Sequence, residues 1–201
     1  MELNRAISQI REIHRHLAKT QVYRGYRSMP VAFTGVLALL GGVLEPWVIS
    51  GKSPLELVLY WVGIAAASLL VVGSEIVRNS YFYSIPSERR MTLKVVGQFL
   101  PCLVAGSIVT AIIAGAVQSH ALLLPGIWAV LFSLGIFSSR PYLPRATGWV
   151  ALFYLAGGSW LLWGACQGIP AGSWGMAAVF GLGQFLSALV LYWNLERRED
   201  G

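Results

Sequence analysis

Two carboxylates stand inside long apolar stretches of this sequence, where an ionised side chain is costly. Glu45 is followed by Pro46 and Trp47, and Glu75 comes three residues before Arg78. An ionisable group in such a setting usually belongs to an ion or proton pathway, or it is paired with a neighbour for structural reasons. The spacing of Glu75 and Arg78 fits an ion pair along one helix face. The sequence leaves both interpretations of Glu45 and Glu75 open.

Uncharged polar side chains within the apolar stretches form the second group of candidates. They are Gln98, Ser107, Thr110 and Gln184. Such residues could line a polar cavity, or they could form hydrogen bonds between neighbouring helices. A transport function requires the first arrangement, and ordinary helix packing requires only the second.

Arrangements that catalysis needs are missing from the sequence. Asp200 is the only aspartate, which excludes Asp-rich metal sites, and there is no His-Glu-x-x-His motif for zinc. Residues 157–160 (Gly-Gly-Ser-Trp) are similar to the nucleophile region of intramembrane serine proteases, but the last apolar stretch has no histidine to activate the serine. We therefore expect no catalytic residue, no metal site, no cofactor and no enzyme activity.

The chain that carries these residues has the composition of a membrane protein. Apolar residues make up 56% and charged residues 12%, with a mean hydropathy of +0.62, whereas soluble domains carry about 25% charge. Six stretches approach the ~20 apolar residues that cross a bilayer. They are 30–49, 55–77, 93–117, 121–138, 147–166 and 174–195. The sequence predicts an all-α polytopic membrane helix bundle, with a six-helix transmembrane domain at 29–196 and a short tail at 197–201.

Several single residues carry expectations about the interior of this bundle. Pro101 and Pro125 are predicted to produce local kinks, because proline removes a helix hydrogen bond. Cys102 and Cys166 belong to different stretches and are expected to stay unpaired. Trp128 lies deep in its stretch and is predicted to pack between helices, and the same is expected of Trp160.

The distribution of basic residues predicts the direction of the spans. With the N-terminus inside, every one of the 15 Lys and Arg residues except Lys52 lies on the inner side. Cytoplasmic loops carry such an excess, so both termini are predicted to be cytoplasmic, in a bacterial inner membrane. Because the basic residues lie in tails and short loops, we expect anionic lipid headgroups as their partners, and no nucleic acid.

Residues 1–28 form a basic segment with helical periodicity. Its apolar residues share one arc and its charged residues the other. Such a cytoplasmic helix can lie in the headgroup layer or can present a docking face to a cytoplasmic protein. The candidate residues of this face are Arg11, His14, Arg15 and Lys19.

Several stretches resemble one family of proteins. They are Ser-Glu-Arg-Arg at 87–90, Phe-Leu-Pro-Cys-Leu-Val-Ala-Gly at 99–106, Leu-Leu-Pro-Gly-Ile-Trp at 123–128 and Gly-Ile-Phe-Ser-Ser-Arg at 135–140. Together with the N-terminal helix, they are similar to an uncharacterised family of bacterial six-span membrane proteins, often encoded beside a small winged-helix regulator. The family has no assigned catalytic residues to carry over. In the last span it tends to show Gly-Leu-His, where this chain has Gly-Leu-Gly-Gln at 181–184.

The sequence favours a non-enzymatic membrane protein that acts in sensing or as a partner for another protein. The alternative is a small transporter or channel. Such a protein would form an oligomer, because six short helices enclose little volume. The alternative predicts that Glu45 or Glu75 reaches water and connects to Gln98 or Gln184.

Overall fold

The computed structural model describes residues 28–49, 53–82, 86–169 and 171–197. Five long helices come first: α1 (Ser28–Val48), α2 (Pro54–Phe82), α3 (Pro86–Ala116), α4 (Leu124–Ser139) and α5 (Thr147–Cys166). Short 3-10 segments at Gln118–Leu123 and Arg140–Tyr142 precede and follow α4. The predicted N-terminal helix, with Arg11, His14, Arg15 and Lys19, lies outside the described residues.

The sixth span, Gly172–Asn194, has a mixed helical geometry. It begins as α6 (Gly172–Met176), widens into a π-helical segment at Ala177–Leu182, and continues as α7 (Gly183–Leu191). A second π-helical segment, Tyr192–Glu196, ends it. Six helical segments in the described part are long and apolar enough to cross a membrane. The predicted fold class, an all-α membrane helix bundle with six spans, is confirmed.

Local sequence explains where two of these helices begin and end. Ser53 accepts a hydrogen bond from the Glu56 amide at 3.2 Å, and Pro54 occupies the first helical position of α2, where no amide hydrogen is needed. At the end of α5, Gly168 has a φ of 75°. The Ile169 amide then reaches back to the Gly164 carbonyl at 2.9 Å, in the Schellman arrangement that glycine permits.

The two prolines expected to kink helices differ in their positions. Pro101 lies inside α3, as predicted. Pro125 lies in the first turn of α4, so the prediction that it removes a hydrogen bond from within a helix was wrong. The preceding residues form the 3-10 segment, and proline is well tolerated at a helix start because that amide would have no helical partner.

Neighbouring spans run antiparallel, and polar contacts or close glycines join them around the bundle. The Tyr60 hydroxyl donates to the Gly41 carbonyl at 2.7 Å, joining α2 to α1. The Ser133 hydroxyl donates to the Ala151 carbonyl at 2.7 Å, joining α4 to α5. Gly35 lies against the backbone of Gly181, which brings α1 close to the sixth span. The central core lies between α4, α5 and the sixth span, around Ala129, Ala151 and Tyr154.

Burial divides the spans into two groups. In the most apolar eighteen-residue stretch of each span, 44% of the residues are buried in the fourth and sixth spans, 11% in α2 and none in α3. α2 and α3 therefore lie at the periphery, and α1, α4, α5 and the sixth span form the packed part of the bundle.

Candidate functional site

Glu45 takes part in a contact between α1 and α2. Its Oε2 atom accepts a hydrogen bond from the Trp61 indole nitrogen at 2.8 Å. Trp61 is buried, and its ring packs edge-on against Tyr60 at 5.7 Å between centroids. The carboxylate thus has a structural partner close to the end of its helix, and it fixes α2 against α1.

Glu75 forms the ion pair that the sequence predicts. Its Oε2 atom lies 2.7 Å from a terminal nitrogen of Arg78, three residues further along α2. The Arg78 side chain is 59% exposed and the Glu75 side chain 18% exposed, so the pair lies at the edge of the bundle. An exposed pair of this kind has little energetic weight.

The environment of Gln98 is divided between a satisfied backbone and an unsatisfied side chain. The Ser138 hydroxyl lies 3.0 Å from the Gln98 carbonyl, bridging α4 to α3. The carbonyl that loses its helical amide donor to Pro101 is that of Gly97, one residue earlier in α3. The side-chain Oε1 atom of Gln98 is buried and has no hydrogen-bond partner among the described residues.

The remaining predicted polar residues serve packing. Thr110 accepts a hydrogen bond from the Trp128 indole at 2.8 Å, which confirms the packing role predicted for Trp128. Ser107 is exposed and bonds the Leu103 carbonyl of its own helix. Gln184 lies beside Gly35 of α1. Trp160 is 61% exposed, so the prediction that it packs between helices was wrong; it lies on the outer surface of α5.

The four predicted intramembrane residues are not brought together. Glu45 lies near the end of α1, while Glu75 lies at the opposite end of the bundle, near the end of α2. Within the described ranges, no hydrogen bond joins any two of Glu45, Glu75, Gln98 and Gln184. The connected polar path that the transport alternative predicts is not seen there.

An aromatic cluster around Tyr154 is a feature that the sequence did not indicate. Tyr154 is fully buried, and its ring lies 4.8 Å from Phe132 and 5.8 Å from Phe180. Its hydroxyl lies 3.4 Å from the Phe180 carbonyl, a long hydrogen bond to the first π-helical segment. A side chain at Gly183 would overlap the Tyr154 ring, so this glycine makes room for it. π-helical turns are often found at functional sites.

Beside this cluster, an open groove of about 530 Å³ lies between α1, α5 and the sixth span. Its wall on the sixth span runs from Leu182 to Tyr192, from the end of one π-helical segment to the start of the next. Ala32 and Phe153 line the side formed by α1 and α5. The lining is almost entirely apolar. We call this feature the lateral groove.

Positive charge is concentrated at one end of the bundle, which we call the basic end. Among the described residues, seven exposed cations lie there: Arg78, Arg89, Arg90, Lys94, Arg140, Arg145 and Arg197. Glu75, already paired with Arg78, lies at the same end. The helix ends at the opposite side have Glu45 and Glu56.

The described residues contain no group of three or more His, Cys, Asp or Glu side chains placed to hold a metal ion. Cys102 and Cys166 are both free thiols in the structure. No family model, curated protein or solved structure matches this chain. The fold and these sites show a multi-pass membrane protein with its charge concentrated at one end.

Proposed function

We propose that this chain is a non-enzymatic protein of a bacterial inner membrane, acting in membrane-associated sensing or as a partner for a cytoplasmic protein. Both termini lie in the cytoplasm in this proposal, since the basic end matches the excess of Lys and Arg found in cytoplasmic loops. The observation that carries the proposal is that polar side chains within the spans serve helix packing, whereas exposed cations gather at one end of the bundle. Glu45, Ser133 and Thr110 are used in contacts between helices, and the exposed cations of the described residues lie at the basic end.

A partner would meet this end of the molecule first. Arg90 and Lys94 lie near the start of α3, and Arg145 lies in the turn before α5; all three are exposed. Clustered cations attract acidic protein surfaces and anionic headgroups over the Debye length, about 8 Å at physiological salt. Charge at the basic end therefore suits both a protein partner and the membrane surface.

In vivo photo-crosslinking tests the proposal. A photoreactive amino acid replaces Arg90 in one variant and Arg145 in another, and Trp47, exposed near the opposite end of α1, serves as the matched position. The proposal predicts discrete protein adducts from the two basic-end positions and none of the same mass from Trp47. Lipid adducts alone at all three positions would remove the protein-partner role.

The second candidate function is a small oligomeric transporter, and one observation favours it. The buried Oε1 atom of Gln98 has no hydrogen-bond partner among the described residues, so it is available to accept a hydrogen bond from a solute. Gln98→Leu separates the two functions. A transporter would lose flux, whereas a packing role predicts a protein at least as stable as before, because a buried unsatisfied polar atom costs about 1–3 kcal/mol. Flux measured in proteoliposomes, beside thermal unfolding of the same samples, distinguishes them.

A further inference from the structure

We infer that the lateral groove holds one acyl chain of an anionic phospholipid from the leaflet at the basic end. The inference goes beyond the proposed function, because a lipid site in this open groove is independent of any protein partner. Three observations support the inference: the length of the groove, its apolar lining and the positive charge at its mouth.

The length of the groove matches one leaflet. Its wall on the sixth span runs from Leu182 to Tyr192, ten residues or about 15 Å at 1.5 Å per residue. The hydrocarbon core of a bilayer is about 30 Å thick, so one leaflet contributes about half of it. A chain entering at Tyr192 would end near Leu182, at the middle of the membrane.

The lining of the groove suits a flexible hydrocarbon chain. Ala32 supplies a small side chain on α1, and Phe153 lines the groove from α5. Leu182, Leu186 and Leu189 on the sixth span are all exposed to the groove side of the bundle. Apart from Ser28 and Tyr192, both at the basic end, the lining side chains offer no polar group to a ligand.

Charge at the mouth of the groove selects an anionic headgroup. The Arg197 amide bonds the Tyr192 carbonyl at 3.0 Å, which places Arg197 one helical turn beyond the last lining residue. Its side chain is exposed. Arg140 and Arg145 lie at the same end of the bundle. A phosphate held there would meet cations, with the Tyr192 hydroxyl near the mouth, as in basic sites between transmembrane helices that bind phospholipid headgroups.

Lipid retention by the full-length protein tests the inference. The protein is reconstituted in nanodiscs of equal phosphatidylglycerol and phosphatidylcholine, transferred to detergent, and examined by native mass spectrometry. One retained phosphatidylglycerol per protomer is expected. Ala32→Phe should lower its occupancy at least fivefold by filling the groove, whereas Ala111→Phe, the same change at an exposed position of α3, should leave it unchanged.

A second pair of variants tests the headgroup. Arg197→Gln should reduce the preference for phosphatidylglycerol over phosphatidylcholine severalfold, whereas Arg90→Gln, which removes an exposed cation of α3, should preserve it. If thermal unfolding shows that Ala32→Phe is not folded, Leu186→Trp replaces it. This change fills the same groove from the sixth span and should lower phosphatidylglycerol occupancy in the same way.

Four results would overturn the inference. In the first, the wild-type protein retains no phospholipid, and in the second, Ala32→Phe and Ala111→Phe retain it equally. In the third, the retained adduct does not have the mass of a phospholipid. In the fourth, the protein is a dimer that dissociates when the groove is filled. The last would make a second copy of the chain the occupant. Crosslinking at Arg90 tests the protein-partner proposal separately. A negative crosslinking result would therefore not contradict the lipid inference.

Discussion

Glycines in the packed part of the bundle and glycines in the peripheral helices have opposite surroundings. A methyl group at Gly126 of α4 would come within 2.8 Å of both the Gly158 carbonyl and the Leu162 amide of α5. At Gly63 and Gly73 of α2, and at Gly97 of α3, a methyl group would meet nothing within 4 Å. The same residue type thus permits backbone contact in one region and leaves open surface in the other.

The difference shows what joins these helices. In a bilayer, an apolar side chain gains little free energy when it leaves lipid tails to contact another helix. Helix association therefore depends on close backbone approach and on hydrogen bonds. The packed spans use both, through Gly126 with Gly158 and through Ser133 with Ala151. α2 is fixed to α1 mainly near one end, where Tyr60 and Trp61 donate to Gly41 and Glu45.

Gly126→Val should have the largest effect on stability. A Cβ at this position would lie 2.8 Å from both the Gly158 carbonyl and the Leu162 amide, so α4 and α5 must move apart. The expected loss is about 3 kcal/mol, the upper part of the overpacking range. Unfolding of the purified protein in mixed micelles with increasing SDS measures it.

Gly73→Val is the matched control for that experiment. It should leave the free energy of unfolding within about 0.5 kcal/mol, since the added side chain meets open space. Equal losses in the two variants would mean that the packed and peripheral regions do not differ as described.

Trp61→Phe tests how the periphery is fixed to the core. The change removes the hydrogen bond to Glu45 and leaves the carboxylate without its indole donor, with an expected loss of about 1.5 kcal/mol. Trp47→Phe, at a position 85% exposed, should change the same free energy by less than about 0.5 kcal/mol. Indistinguishable results would show that the Glu45 contact does not stabilise the α1–α2 pair.

Ser133→Ala should have a smaller effect, although Ser133 is fully buried. Its hydroxyl bond to Ala151 joins α4 to α5, and hydrogen bonds of this kind between spans contribute about 0.6 kcal/mol on average. Ser107→Ala on α3 loses a bond only within its own helix and should be neutral. A larger loss at Ser107 than at Ser133 would contradict the assignment of α3 to the periphery.

Sequence reasoning predicted the spans well and the sites less well, for physical reasons. The fifth span, 147–166, has the predicted bounds, because the apolar run from which it was predicted coincides with one helix. The Glu75–Arg78 pair was also predictable, since both residues lie on one helix. The lateral groove and the Tyr154 cluster were not, because both depend on which helices become neighbours, and hydropathy does not specify that.

Gly183 shows where sequence reasoning stops in the region around Tyr154. It is the residue that accommodates the Tyr154 ring. A glycine inside an apolar helix is costly unless it serves close packing. Gly63, Gly73 and Gly97 nevertheless meet open space, so the sequence alone could not show that Gly183 is closely packed or name Tyr154, 29 positions away, as its partner.

Cysteine labelling in intact cells tests the central claim, a six-span bundle whose basic end faces the cytoplasm. In a chain with Cys102→Ser and Cys166→Ser, either Gln118→Cys, exposed at the end away from the basic residues, or Arg145→Cys is introduced. A membrane-impermeant maleimide should label position 118 in spheroplasts, and position 145 only after the membrane is permeabilised. Labelling of position 145 in intact spheroplasts, or the same pattern at both positions, would contradict the account.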